Sequence, residues 1–276
     1  MGGPIEELWS EADEAASVRL VRALAAEDLL GALLAIEGAS PEREAAVARA
    51  LDAFAAATRA RLALGDDSAA ALRAALSVEG GLRGDREGYH DPANSHLSRV
   101  LERGLGLPIL LSCVWMLVGR RAGLRVEGIG LPGHFIARVG RQLVDPFREG
   151  AAIDDEDCRG IVARYVGDRP WDPRWLAPAS VRAIVERVLR NLFHFYRDHE
   201  QGDAIDLYRV SRLLAAAAPE DPAARLQFAR LTEELGADGL AVTLYEAIAR
   251  DFDGQREARI AAIRVVELGS RTRTLN

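Results

Sequence analysis

A chain of 276 residues, 49% hydrophobic and 28% charged, has the composition of an ordinary globular protein with one large core or two modest ones. Its formal charge of -7 argues against broad affinity for nucleic acid or an anionic membrane, because both reward a clustered basic face. Lysine is absent and alanine abundant, a bias that points to a GC-rich bacterial genome rather than to a site.

Cys113 and Cys158 are too few for a disulfide framework, and the opening MGGPIEELWSEADEAA is acidic with no apolar segment, so a reducing cytoplasm is the expected location. Glu6 occupies the position where myristoylation needs Ser or Thr. The longest apolar run, Leu105 to Gly119, is shorter than the roughly 20 residues of a spanning helix. It reads as a buried helix.

From Ile5 to about Leu82 the leucines recur at helical spacing, with Ser40-Pro41 marking one helix start and Gly80-Gly81 an end. Leu82 to His90 reads as an exposed loop. Asp91-Pro92 then opens a helix expected to stop at Gly104. Its first turns are crowded with polar groups, so Tyr89, Asn94 and Ser95 are candidate binding residues; capping and solvation are the alternative explanation. Pro108 begins the next helix, in which Leu110, Cys113, Val114 and Leu117 form an apolar stripe ending at Arg120-Arg121.

The period then changes from helix to sheet. Strands are expected over Leu124 to Gly130, His134 to Val139 and Gln142 to Asp145, with Gly140-Arg141 as a turn. A two-residue turn pairs Val139 with Gln142 and puts His134 and Asp145 on one side of the sheet, within reach of a hydrogen bond. A three-residue turn would separate them. With Cys113 upstream, a thiol, an imidazole and a carboxyl follow in the order used by thiol acyl-transfer enzymes. Metal ligation is not expected, since His90 and His96 lack ligand spacing and no cysteine pair completes a shell; no cofactor is expected either.

A helix is expected from Asp154 to Val166. The Trp171 and Trp175 segment that follows reads as a packed connection, after which helices resume at Ser180. Gly202-Asp203 and Ala237-Asp238 mark two similar junctions, and Ala241, Tyr245, Ile248 and Asp253 fit the spacing of a second tetratricopeptide helix. About two imperfect units are expected, too few to stand as a free solenoid.

Several ordered motifs now combine: Tyr89-x-Asp91-Pro92-x-Asn94-Ser95-x-Leu97, Gly106-Leu107-Pro108-Ile109, Pro132-Gly133-His134-Phe135 and Val144-Asp145-Pro146-Phe147. Together they resemble the SirB-type transglutaminase-like family, whose members carry a tetratricopeptide-like tail. The resemblance implies an α+β, predominantly helical fold: a thiol-peptidase-like core with a small antiparallel sheet, followed by a helical tail. The expected organisation is a helical support over 1–82, the core over 83–175 packed with that support, and the tail over 176–276.

The resemblance also implies roles. His134 and Asp145 match the imidazole and its orienting carboxyl, but counting back from Gly123 puts Pro108 where active relatives begin their central helix with the nucleophilic cysteine. Cys113 lies five residues deeper, rotated by about 140° and raised about 7.5 Å. Two functions follow as expectations. One is a non-catalytic scaffold that binds a protein or peptide; the other is a thiol acyltransferase or peptidase using Cys113, His134 and Asp145. A third, weaker reading joins Ser95 or His90 with His134 in a different site. Nothing in the chain indicates its oligomeric state.

Overall fold

Capping residues set most of the helix starts. The structure, a computed structural model, describes residues 10–167, 169–199 and 203–274. The expected helical start at Ile5, the Glu6 position and Gly202 lie outside the described residues. Helix α1 (Glu11–Ala25) is followed by α2 (Leu29–Ile36), which Asp28 caps through the Gly31 N–H. Ser40 accepts from the Arg43 N–H at the head of α3 (Pro41–Ala63), where Pro41 loses no hydrogen bond. Asp67 caps α4 (Ser68–Arg73), which runs on as a π turn, Ala74–Val78.

The 82–90 segment is not loop throughout. Strand β1 (Arg83–Gly84) pairs in parallel with β2 (Leu105–Gly106), and two residues are too few to show alternation in a sequence. Asp91 caps a 3-10 turn over Pro92–Ser95, and α5 (Leu97–Arg103) starts only after the extended His96. It ends at Gly104, in the left-handed region with φ +69°. Helix α6 (Pro108–Arg121) is buried along most of its length.

Strands β3 (Val126–Ile129), β4 (Ile136–Val139), β5 (Gln142–Asp145) and β6 (Ala151–Ile153) form one antiparallel sheet in that order. The Gly140-Arg141 turn has two residues, and Val139 pairs with Gln142 as expected. β6 carried no sequence signal, being three residues of which two are alanine. Register assigns the faces. Val126, Gly128, Ala137, Val139 and Val144 share one side, which meets α6: a Cβ at Gly128 would fall 2.9 Å from the Met116 sulfur. Ile129, Ile136, Leu143 and Ile153 share the other, which packs on Cys158, Ile161 and Val162 of α7 (Asp155–Val166), a helix opened by an Asp154/Asp157 capping box. Trp171 and Trp175 meet edge to face, their rings 5.5 Å apart, and pack against this second core.

The remaining helices are α8 (Val181–Asp198), α9 (Ala204–Ala217), α10 (Pro222–Glu234), α11 (Asp238–Asp251) and α12 (Arg256–Thr274). Ala23–Val188, holding the sheet, forms one compact unit; residues 10–22 and the described residues from Leu189 onward form the other. In the second unit Leu226 and Ala229 of α10 share a core with Ala241, Tyr245 and Ile248 of α11 and Ala261 of α12. No helix among the described residues is long and apolar enough to cross a membrane.

One glycine fixes how the sheet meets α6. Gly150 has φ +71°, and a Cβ there would fall 2.5 Å from the ring of the fully buried Trp115. Gly150→Ala is therefore expected to destabilise the unit by about 2–4 kcal/mol, combining left-handed strain with overpacking. A thermal melt should show a midpoint lower by about 5–15 °C.

Candidate functional site: an imidazole–carboxyl pair

The site begins at a turn. Pro132 and Gly133 (φ +73°) occupy the two middle positions of Leu131-Pro132-Gly133-His134, and the His134 N–H closes the turn on the Leu131 carbonyl at 3.2 Å. His134 thus stands just before β4 rather than within it. Asp145 ends β5 and is fully buried; its Oδ2 lies 3.0 Å from His134 Nε2. Its Oδ1 accepts from the Phe147 N–H at 3.0 Å, so both carboxyl oxygens are occupied and the carboxyl is held in one orientation.

Aromatic rings surround the pair. Phe147 stands edge-on to His134 at 6.1 Å and to Tyr89 at 6.0 Å. Gly84 gives Phe147 its room, since a Cβ there would sit 2.5 Å from the ring. Gly84 in turn pairs with Gly106, two residues before the start of α6. On the other side, Tyr165 of α7 covers the turn so closely that a Cβ at Gly133 would lie 2.0 Å from its ring. Burial is the main influence raising the Tyr89 hydroxyl above its ordinary range, with Tyr165 adding to it and Arg187 opposing.

Of the candidate binding residues, Tyr89 reaches this cluster, where it is 38% exposed, whereas Asn94 and Ser95 are buried. Asn94 is used inside the fold: its amide donates to Asp85 and to the Gly88 carbonyl, and its oxygen accepts from Arg103. Arg103 also reaches Asp85 and Asp91. Burial alone would raise the Asp85 pKa, but the Gly88 N–H, Asn94 and Arg103 together hold it below the usual carboxylate range. This network fixes the loop that presents Tyr89. His90 stands edge-on to Tyr89 at 5.4 Å.

The thiols are placed differently. Pro108 is buried in the first turn of α6, which has no side-chain cap, and its ring nitrogen has no proton to donate. Cys113 is fully buried, and desolvation pushes its pKa up to about 12. Strand alternation turns Asp145 toward the α7 side of the sheet, while α6, with Cys113, packs against the other side. Cys158 lies on the same side as Asp145. It too is fully buried, with its pKa pushed to about 11 by burial and then by the carboxyls of Asp155, Asp157, Asp154 and Asp145. Its place near the pair had no sequence signal, because α7 is separated from the pair by a turn and a strand. Both cysteines are free. Among the described residues no group of three or more His, Cys, Asp or Glu side chains could hold a metal ion.

Similarity to known proteins covers about half of the chain. A UPF0162 protein of Xylella fastidiosa is 38% identical over 142 residues, 49% of this chain and 50% of its own. A UPF0162 protein of Pseudomonas aeruginosa is 32% identical over 153 residues, 54% of this chain and 49% of its own. F-box only protein 21 of Mus musculus is 25% identical over 167 residues, 56% of this chain but 26% of its own. The chain thus spans about half the length of the UPF0162 relatives and about a quarter of the F-box protein. No solved structure matches it. Residues 45–190, just over half the chain and including every member of the His134 cluster, match the Transglutaminase-like superfamily, and the chain belongs to that superfamily.

Proposed function

We propose that this protein is a non-catalytic, SirB-type transglutaminase-like scaffold that binds a protein or peptide partner in the cytoplasm. The observation that carries this reading is that both thiols are sealed with raised pKa values, and the resemblance, which implies that Pro108 stands where active relatives have their nucleophile, agrees with it. The His134–Asp145 pair then serves as part of a recognition surface, with Tyr89 at its edge, Asn94 supporting the loop behind it and Ser95 buried beside Asn94. The recurrence of the matched region within the much longer F-box only protein 21 is consistent with a module that works alongside other parts. A tetratricopeptide-like tail belongs to the same proposal, supported by Ala241, Tyr245 and Ile248 sharing one core with the preceding helix, and by the Gly236 turn at φ +79°.

The second reading is a thiol acyltransferase or peptidase, favoured by the 3.0 Å contact between His134 and Asp145. It requires the Cys113 sulfur to come within about 4 Å of the imidazole, and so a repacking of α6. A glutamine-bearing peptide, incubated with the purified chain with and without a primary amine, distinguishes the two. Mass spectrometry is expected to find neither cross-linking nor hydrolysis, and no change on Cys113→Ala. Turnover that Cys113→Ala abolishes would overturn the scaffold reading.

A further inference from the structure

Arg187 of α8 belongs to the sheet-bearing unit and shares an acceptor with the candidate site. Its Nη1 donates to the Leu131 carbonyl at 2.9 Å, the same oxygen that accepts the His134 N–H. The guanidinium lies over the Phe135 ring at 5.5 Å. Tyr165, 62% exposed, lies against Gly133 of the same turn, Tyr89 stands edge-on to Phe147, and the charge of Arg187 is felt by both phenols.

Among the described residues no carboxylate pairs with Arg187, and its one side-chain hydrogen bond goes to a neutral carbonyl. Burial disfavours its charge, and the groups that oppose that effect are the phenols of Tyr89 and Tyr165. A guanidinium presents five N–H donors in a planar fork suited to a carboxylate, and only one is used here. A half-buried, ring-backed arginine without a counterion is costly to keep unless a ligand supplies the charge.

We infer that Arg187, with Tyr165 and Tyr89, forms a carboxylate-binding subsite next to the His134–Asp145 pair, and that the peptide bound there carries an acidic side chain or a free C-terminal carboxylate. This rests on the peptide-binding reading above and adds the chemical class of the ligand. The turn carbonyl fixes the guanidinium while the exposed Tyr165 ring leaves an approach from solvent.

Three peptides test it against the full chain by isothermal titration: an acetylated and amidated pentapeptide with a central glutamate, its glutamine counterpart, and an acetylated alanine pentapeptide with a free C-terminal carboxylate. At least one acidic peptide is expected to bind about tenfold more tightly than the glutamine peptide, the scale of a charge-assisted fork, and which one does so identifies the source of the carboxylate. Arg187→Met is expected to erase that preference and Arg187→Lys to restore part of it. Should Arg187→Met not fold, Tyr165→Ala removes an exposed ring and is expected to weaken acidic binding about threefold. Failure of both acidic peptides to bind more tightly than the glutamine peptide, no binding of either acidic peptide, or a preference that survives Arg187→Met would overturn the subsite; the first and third leave the scaffold reading standing. Cys113-dependent hydrolysis of these peptides would instead remove the scaffold reading, and the preference would then be scored as a ratio of KM values.

Discussion

Native protein mixed with excess thiol reagent at pH 8 is expected to show no fast-reacting sulfur, with both cysteines appearing only when denaturant is added. Raising the Cys113 pKa from 9.0 to about 12 lowers its thiolate fraction about a thousandfold, and raising that of Cys158 to about 11 lowers its fraction about a hundredfold, before any steric exclusion is counted. The direction with pH follows from the same shifts. Above about pH 9 the unfolded chain releases these protons while the folded chain retains them, so stability contributed by the buried thiols falls as pH rises. A rapid, stoichiometric reaction in the native state that disappears in Cys113→Ala would contradict the burial argument and revive the enzymatic reading. Reaction rates that follow the population of unfolded chain, and so rise with denaturant, would support it.

Removing the carboxyl of the His134–Asp145 pair is expected to harm the fold as well as the site. Asp145→Ala leaves the half-buried Phe147 N–H without its acceptor, deprives His134 Nε2 of its partner and opens a gap at the end of β5. The expected cost is about 2–4 kcal/mol, the range for leaving buried polar groups unsatisfied. That corresponds to a melting midpoint lower by about 5–15 °C in a unit of this size. Asp145→Asn keeps an acceptor for the Phe147 N–H and a polar group opposite the imidazole, so its expected cost is about 1 kcal/mol. Circular dichroism melts of the two variants check the ranking. If Asp145→Ala melts within about 2 °C of the parent chain, the pair is not holding the strand end in place.

Local chemistry determined a good deal by itself. Ser40-Pro41, Asp91-Pro92 and Pro108 open turns or helices where they stand because a cap side chain and a proline at the first position act within one turn. The switch from helices to strands after Gly123 follows from the change in hydrophobic period. So does the approach of His134 to Asp145, because a two-residue turn leaves one register open and side-chain alternation does the rest.

What the chain order could not carry was any contact between segments far apart in sequence. The sealing of Cys113 depends on what packs around all sides of α6, and the nearness of Cys158 to Asp145 depends on α7 crossing one particular sheet face. The internal use of Asn94 needs Arg103 and Asp85, and the pairing of β1 with β2 bridges twenty-two residues with too little strand to show a period. Arg187 was invisible for the same reason: only the tertiary fold brings it to the carbonyl that also holds His134, more than fifty residues earlier. Spacing along a chain reports which groups share a helix or strand face, but burial, shared acceptors and missing counterions are properties of packed surfaces.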